Sequence, residues 1–169
     1  IILFHTFILI CCTSFANVDL LTQARNLQRE GKYDKAINAF KNILQQKKEN
    51  DLPKQELVMY TEALVQLMNT YQSIGEPEAC VITLQEIYKT TPILQKQCLR
   101  DYYSVMGYAL SRTEKMKEAE ETTLKVFTMP LHHATPERYF RDYAYAAAVF
   151  YSNPHYQKEV TDWCKEALL

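Results

Sequence analysis

Glycine is scarce in this chain, with 3 among 169 residues, and proline is limited to 6. Sheets with many tight turns need more of both, so the composition leans to helix. Gly31, Gly75 and Gly107 stand too far apart to form a phosphate-cradling loop. An excess of either charge is also missing. The formal net charge is −1, which supplies no basic surface for nucleic acid or an anionic membrane. HExxH, CxxC and G-x-S-x-G do not occur. No catalytic constellation emerges, and we expect no enzyme, no cofactor and no metal within these residues.

What is present suits one folded domain with a sizeable core: 47% hydrophobic residues against 23% charged. The first sixteen residues, IILFHTFILICCTSFA, are apolar to Cys12 apart from His5 and Thr6, then close in Ser14-Phe15-Ala16. A short apolar run ending small-x-small matches the end of a secretory signal peptide, and it is too short to span a bilayer alone. We therefore expect residues 1–16 to be a signal peptide truncated at its start and 17–169 to be the mature helical domain. The closing CKEALL lies inside a helical pattern without a stop signal, so a longer parent protein is expected. Cys80, Cys98 and Cys164 then remain, at spacings unsuited to a metal or redox pair. Cys80 and Cys164 fall at helix positions that want a small apolar side chain, so both are expected as buried thiols.

The organising signal is a repeated hairpin. Leu20, Gln23, Ala24 and Leu27 precede a turn at Gly31, and Ala36, Phe40 and Ile43 follow it. The same spacing returns as Leu64, Leu67, Met68 and Tyr71, then Gly75, then Cys80, Leu84 and Ile87, with Pro92 as the stop. A third copy reads Tyr103, Met106, Gly107 and Leu110, then Ala119, Thr123 and Val126. A looser fourth reads Ala144, Ala147, Ala148 and Tyr151, then Val160, Cys164 and Ala167. Successive copies start 44, 39 and 41 residues apart, a period that signals a solenoid. Small residues such as Ala24, Gly107 and Ala36 let paired helices approach, and large ones fill the space between pairs. One hairpin cannot bury its apolar face alone, so hairpins must stack. The segments QQKKENDLPKQE, TPILQKQCLRD and MPLHHATPERYF read as longer loops and extended first helices. Asp51-Leu52-Pro53, Glu76-Pro77 and Thr135-Pro136 should open helices.

Residues 18–169 resemble the tetratricopeptide repeat (TPR) family, whose W-x2-L-G-x2-Y, A-x3-F and P pattern is met here by Leu64-x2-Leu67-Met68-x2-Tyr71, Cys80-x3-Leu84 and Pro92. The resemblance implies an all-α fold, a right-handed α-solenoid of about four antiparallel helix hairpins. It implies too that first helices line an inner groove. Its inward positions transfer to Arg25, Gln28, Asn69, Gln72, Tyr108, Ser111, Arg112 and Tyr145, a partner-binding set rich in amphipathic side chains. The carboxylate clamp of chaperone-binding relatives is not implied, because Leu21, Val105 and Asp142 replace its polar or basic groups.

The other polar features read as solvent-facing. His132-His133 and His155 belong to loops, and Glu118, Glu120 and Glu121 form a solvated helix face beside Lys115 and Lys117. The expected function is a protein or peptide interaction scaffold without nucleic acid. We expect it to be the exported, periplasmic or extracytoplasmic input region of a membrane signalling protein such as a sensor histidine kinase. Two alternatives stay open: a free-standing exported binding or assembly protein, and an accessory domain of an enzyme whose catalytic part lies beyond residue 169.

Overall fold

A computed structural model describes residues 19–46, 52–129 and 136–166, and among them every regular element is helical. The helices are α1 (19–29), α2 (Tyr33–Leu44), α3 (Lys54–Ser73), α4 (Pro77–Thr90), α5 (Pro92–Lys96), α6 (Leu99–Ser111), α7 (Met116–Thr128), α8 (Pro136–Phe150) and α9 (Gln157–Glu166), with a 3-10 turn at Pro154–Tyr156. The expected signal peptide, the His132-His133 pair, the Asp51 and Thr135 caps and Ala167 lie outside the described residues.

Local chemistry explains the hairpin turns. At Gly31, φ is +71° and the Gly31 and Lys32 amides bond back to the Gln28 and Leu27 carbonyls at 3.0 and 2.9 Å. This satisfies two orphan carbonyls of α1 and needs a residue without Cβ strain. Gly75, at φ +75°, repeats the arrangement on Gln72 and Tyr71. The third turn has no glycine. Thr113 takes over, its hydroxyl donating to the Leu110 carbonyl at 2.7 Å and accepting from the Lys115 amide at 3.2 Å. Asn153 opens the fourth turn by accepting from the His155 amide at 3.1 Å.

Packing follows chain order. The contacts include α2 with α3, α3 with α4 and α6, α4 with α6, α6 with α7 and α8, α7 with α8, and α8 with α9. The core runs through α3, where Tyr60, Ala63, Leu64, Leu67 and Met68 are fully enclosed. Each such Leu contributes roughly 1.5–3 kcal/mol by leaving water. Ala24, Ala36 and Ala119 are fully enclosed as the pattern predicts. Gly107 is where α6 meets α7: a Cβ there would collide with the Thr123 hydroxyl and sit 3.2 Å from the Thr123 nitrogen. Of the first unit's stripe, Ala24 is buried and Leu27 half-buried, while Leu20 and Gln23 face solvent.

Three expectations are corrected. The segment after Pro92 is a helix, α5, and not only a loop. Pro92 ends α4 and occupies the first position of α5, where its missing N–H costs nothing. Ile93, Leu94 and Cys98 are buried, with Thr91 donating to the Leu44 carbonyl at the end of α2 and the Gln97 side chain accepting from the Leu52 amide just ahead of α3. The fourth repeat is out by two residues. The buried positions of α8 are Asp142, Ala146, Val149 and Phe150 rather than Ala144, Ala148 and Tyr151, and Tyr151 is 81% exposed. Ala146, Val149 and Phe150 repeat the spacing of Ala144, Ala147 and Ala148 two residues later, so spacing alone does not choose between the two registers. Cys164 is exposed, also against expectation, because α9 leans on its neighbours through Val160 and Trp163 instead.

Candidate functional site

The predicted partner-binding residues fall on α1, α3, α6 and α8, and the structure joins them unequally. Tyr108 and Tyr145 meet face to face, ring centroids 4.5 Å apart and planes 11° from parallel. Both are half-buried. Burial pushes the Tyr145 hydroxyl up to about 12, against the Arg141 charge, which acts to lower it. Tyr145 is therefore neutral at physiological pH, and the stacked pair presents an aromatic platform.

Arg25 reaches across from α1 to Glu62 on α3, with N and O 2.5 Å apart, and Gln66 donates to the same carboxylate oxygen at 2.8 Å. Partial burial acts to raise the Glu62 carboxyl. The hydrogen bonds from Arg25 and Gln66, with the charges of Arg25 and Arg141, outweigh it and hold Glu62 below its ordinary value. Gln28 and Asn69, both half-buried, continue this row along α1 and α3. Gln72 is half-buried too, and its Nε2 is enclosed without an acceptor among the described residues. Ser111 turns inward, its hydroxyl donating to the Tyr108 carbonyl at 2.8 Å. Arg112 stands exposed at the C-terminal end of α6, outside the tyrosine stack.

Beneath the face lies a cluster that sequence reading missed. Asp101 of α6 takes Arg141 at 2.5 Å and Arg138 at 3.6 Å, both from α8. Arg138 also bonds the Leu57 carbonyl and the Thr61 hydroxyl, so it ties α8 to α3 as well as to α6. Asp142 pairs with Arg100 at 2.8 Å. Arg100 in turn donates to the Val126 and Met129 carbonyls, satisfying the end of α7. Burial works against the Arg141 charge, and the two aspartates more than restore it, so its pKa rises. The signal that could have found this cluster is the spacing Arg138, Arg141, Asp142, which places three charges on one side of a helix.

Several other tyrosines serve packing. Tyr88 stacks on Tyr102 at 4.4 Å, and Tyr139 and Tyr143 share a 2.9 Å hydroxyl contact. Phe127, Phe150, Tyr156 and Trp163 hold α9 in place, with Phe127 and Trp163 stacked at 5.1 Å. Glu118 and Glu121 are solvated, but Glu120 is drawn in by Asn153 at 2.7 Å. Burial pushes the Cys80 and Cys98 thiols up to about 12, which leaves them unreactive. Among the described residues no three His, Cys, Asp or Glu side chains gather to hold a metal ion, and no helix is long and apolar enough to cross a membrane.

No protein-family model and no curated protein matches the chain.

Proposed function

We propose that this protein is a helical-repeat binding module of TPR-like architecture, taking a peptide or protein segment on the face shared by α1, α3, α6 and α8. Chain-order packing supports the solenoid reading: α3 touches α6 and α6 touches α8, so alternate helices line up side by side. The observation that carries the binding reading is the stacked Tyr108–Tyr145 pair, half-open to solvent and next to the polar row of Arg25 and Glu62. Rigid aromatic surface beside hydrogen-bonding groups is the composition of binding hot spots. Placement as the extracytoplasmic input of a membrane signalling protein is part of this proposal and rests on the pattern of residues 1–16.

Screening a fluorescein-labelled octapeptide library by fluorescence anisotropy tests the reading. Tyr108→Ala combined with Tyr145→Ala should weaken the best binder by about tenfold or more, with the helical circular dichroism unchanged. Undiminished binding by a folded double variant would remove this face from the function.

A further inference from the structure

We infer that the last hairpin, α8 with α9, is a latch that docks and undocks as one unit on a standing α1–α7 core, and that its docking is what brings Tyr145 onto Tyr108. The inference concerns the chain's own conformations and holds whether or not this face takes a partner.

The apolar hold on the hairpin is small. Helix α3 encloses eight apolar residues, whereas α8 encloses Ala146, Val149 and Phe150, and α9 fully encloses none of its described side chains. Helix α9 packs mainly on α8 and reaches α7 through the Trp163 ring, stacked on Phe127 at 5.1 Å. Undocking therefore returns much less apolar surface to water than unfolding α3 does.

Ion pairs make up much of the remaining contact, and they resist two kinds of disturbance unequally. Arg138 and Arg141 of α8 meet Asp101 of α6, and Asp142 of α8 meets Arg100 of α6. Removing one member strands its buried partners, which is costly. Lifting the whole hairpin strands none. Arg138, Arg141 and Asp142 leave with α8, Asp101 and Arg100 stay on α6, and water reaches all five. The hydration regained offsets much of the attraction lost. The docked seam also holds three guanidiniums against two carboxylates. Glu62, close enough to act on Arg141, is itself held by Arg25. Opening relieves the positive charge left over. Such a seam opens more easily as a whole than piece by piece. Undocked, α8 carries Tyr145 away from Tyr108, so the aromatic platform exists only in the closed form.

Trp163 is the only tryptophan of the chain and sits at the latch, so its emission reports docking, while far-ultraviolet ellipticity reports the helices. Urea titration of the full chain should place the Trp163 transition about 1 M or more below the main ellipticity transition. In native-state hydrogen exchange, α8 and α9 amides should share one urea dependence and exchange about tenfold or more faster than those of α3. Two variants separate latch from core. Asp101→Asn should lower the Trp163 midpoint, or abolish that step, and leave the main transition where it was. Leu67→Val, mild enough to keep the fold, should lower the main transition and leave the Trp163 midpoint unchanged. Coincident Trp163 and ellipticity transitions, moved together by either variant, overturn the inference, because the chain then unfolds as one unit. Exchange in which α9 opens early while α8 stays with α3 overturns it too, because α9 then frays alone.

Discussion

The centre of the molecule and its C-terminal part are held by different physics. Helix α3 buries ten residues, eight of them apolar, and two of its buried hydroxyls are satisfied within its own hairpin: Thr70 donates to the Gln66 carbonyl at 2.6 Å, and Tyr71 meets Thr83 at 2.9 Å. Helix α8 buries only Asp142, Ala146, Val149 and Phe150, and it meets α6 through Asp101, Arg138, Arg141, Arg100 and Asp142. Apolar burial is undirected, so α3 sits in a core that many shapes could fill. The charged seam works only in one register, because each guanidinium must find its own carboxylate. That seam fixes where α8 lies, and with it where Tyr145 meets Tyr108.

The sharpest way to break this contrast is Asp101→Ala. It leaves Arg138 and Arg141 without their shared carboxylate in a seam where Asp101 is 5% exposed. The expected loss is about 3–5 kcal/mol in urea unfolding. Asp101→Asn, which keeps an acceptor, should recover part of it. A loss below about 1 kcal/mol would mean that α8 is held by its few apolar contacts, and that the two regions do not differ in kind. On the other side of the comparison, Leu67→Ala opens a cavity in the enclosed core and should cost about 3 kcal/mol, with the same value at neutral and mildly acid pH.

Gly107 sharpens the comparison at the junction of the two regions. Gly107→Ala forces a methyl group against Thr123 and should cost about 1–3 kcal/mol. Thr123→Ala removes the colliding hydroxyl, which has no hydrogen-bond partner among the described residues. The double variant should therefore be more stable than the sum of the single losses by about 1 kcal/mol, a coupling that a double-mutant cycle reads directly. Additive losses would mean that α6 and α7 relax apart, and that the glycine is not there for close approach.

These regions also differ in how legible they were. The hairpins at Gly31 and Gly75 follow from glycine and spacing alone, and so do the ends of α3 and α4, because apolar periodicity and turn chemistry agree there. The closely packed Gly107 and Ala119 were legible as small residues in the right place. Further along, the signal fails for identifiable reasons. Helix α5 is too short to show a period. Two apolar registers overlap in α8, Ala144-Ala147-Ala148 and Ala146-Val149-Phe150, and spacing alone does not separate them. Cys164 looked like a core position only within that slipped register. Of the candidate face, Tyr108 and Tyr145 were named only as separate positions implied by the resemblance and not as a stacked pair, and Glu62, Gln66 and Arg141 carry no motif and become visible only as partners. A charge pair contributed by residues 37 or 40 apart leaves no local trace in a sequence.

The smallest effect concerns Glu62, the ion pair of this face nearest to solvent. Its carboxyl titrates below the ordinary 4.5 in the folded chain, so the unfolded chain binds that proton more readily. The contribution to stability is therefore complete above pH 4.5 and is lost as pH falls through the lower, folded value. Glu62→Gln removes this slope while keeping an acceptor for Arg25, which stays charged throughout. The difference between parent and variant in urea midpoint should shrink steadily as pH drops across that window. At 38% and 32% exposure the two side chains are open to water, so the effect must be small beside that of Asp101. A difference that does not change with pH would show that the Arg25–Glu62 bridge contributes nothing to holding α1 on α3. The row of Gln28, Asn69 and Gln72 would then be aligned by the apolar packing of Leu21, Ala24 and Leu27.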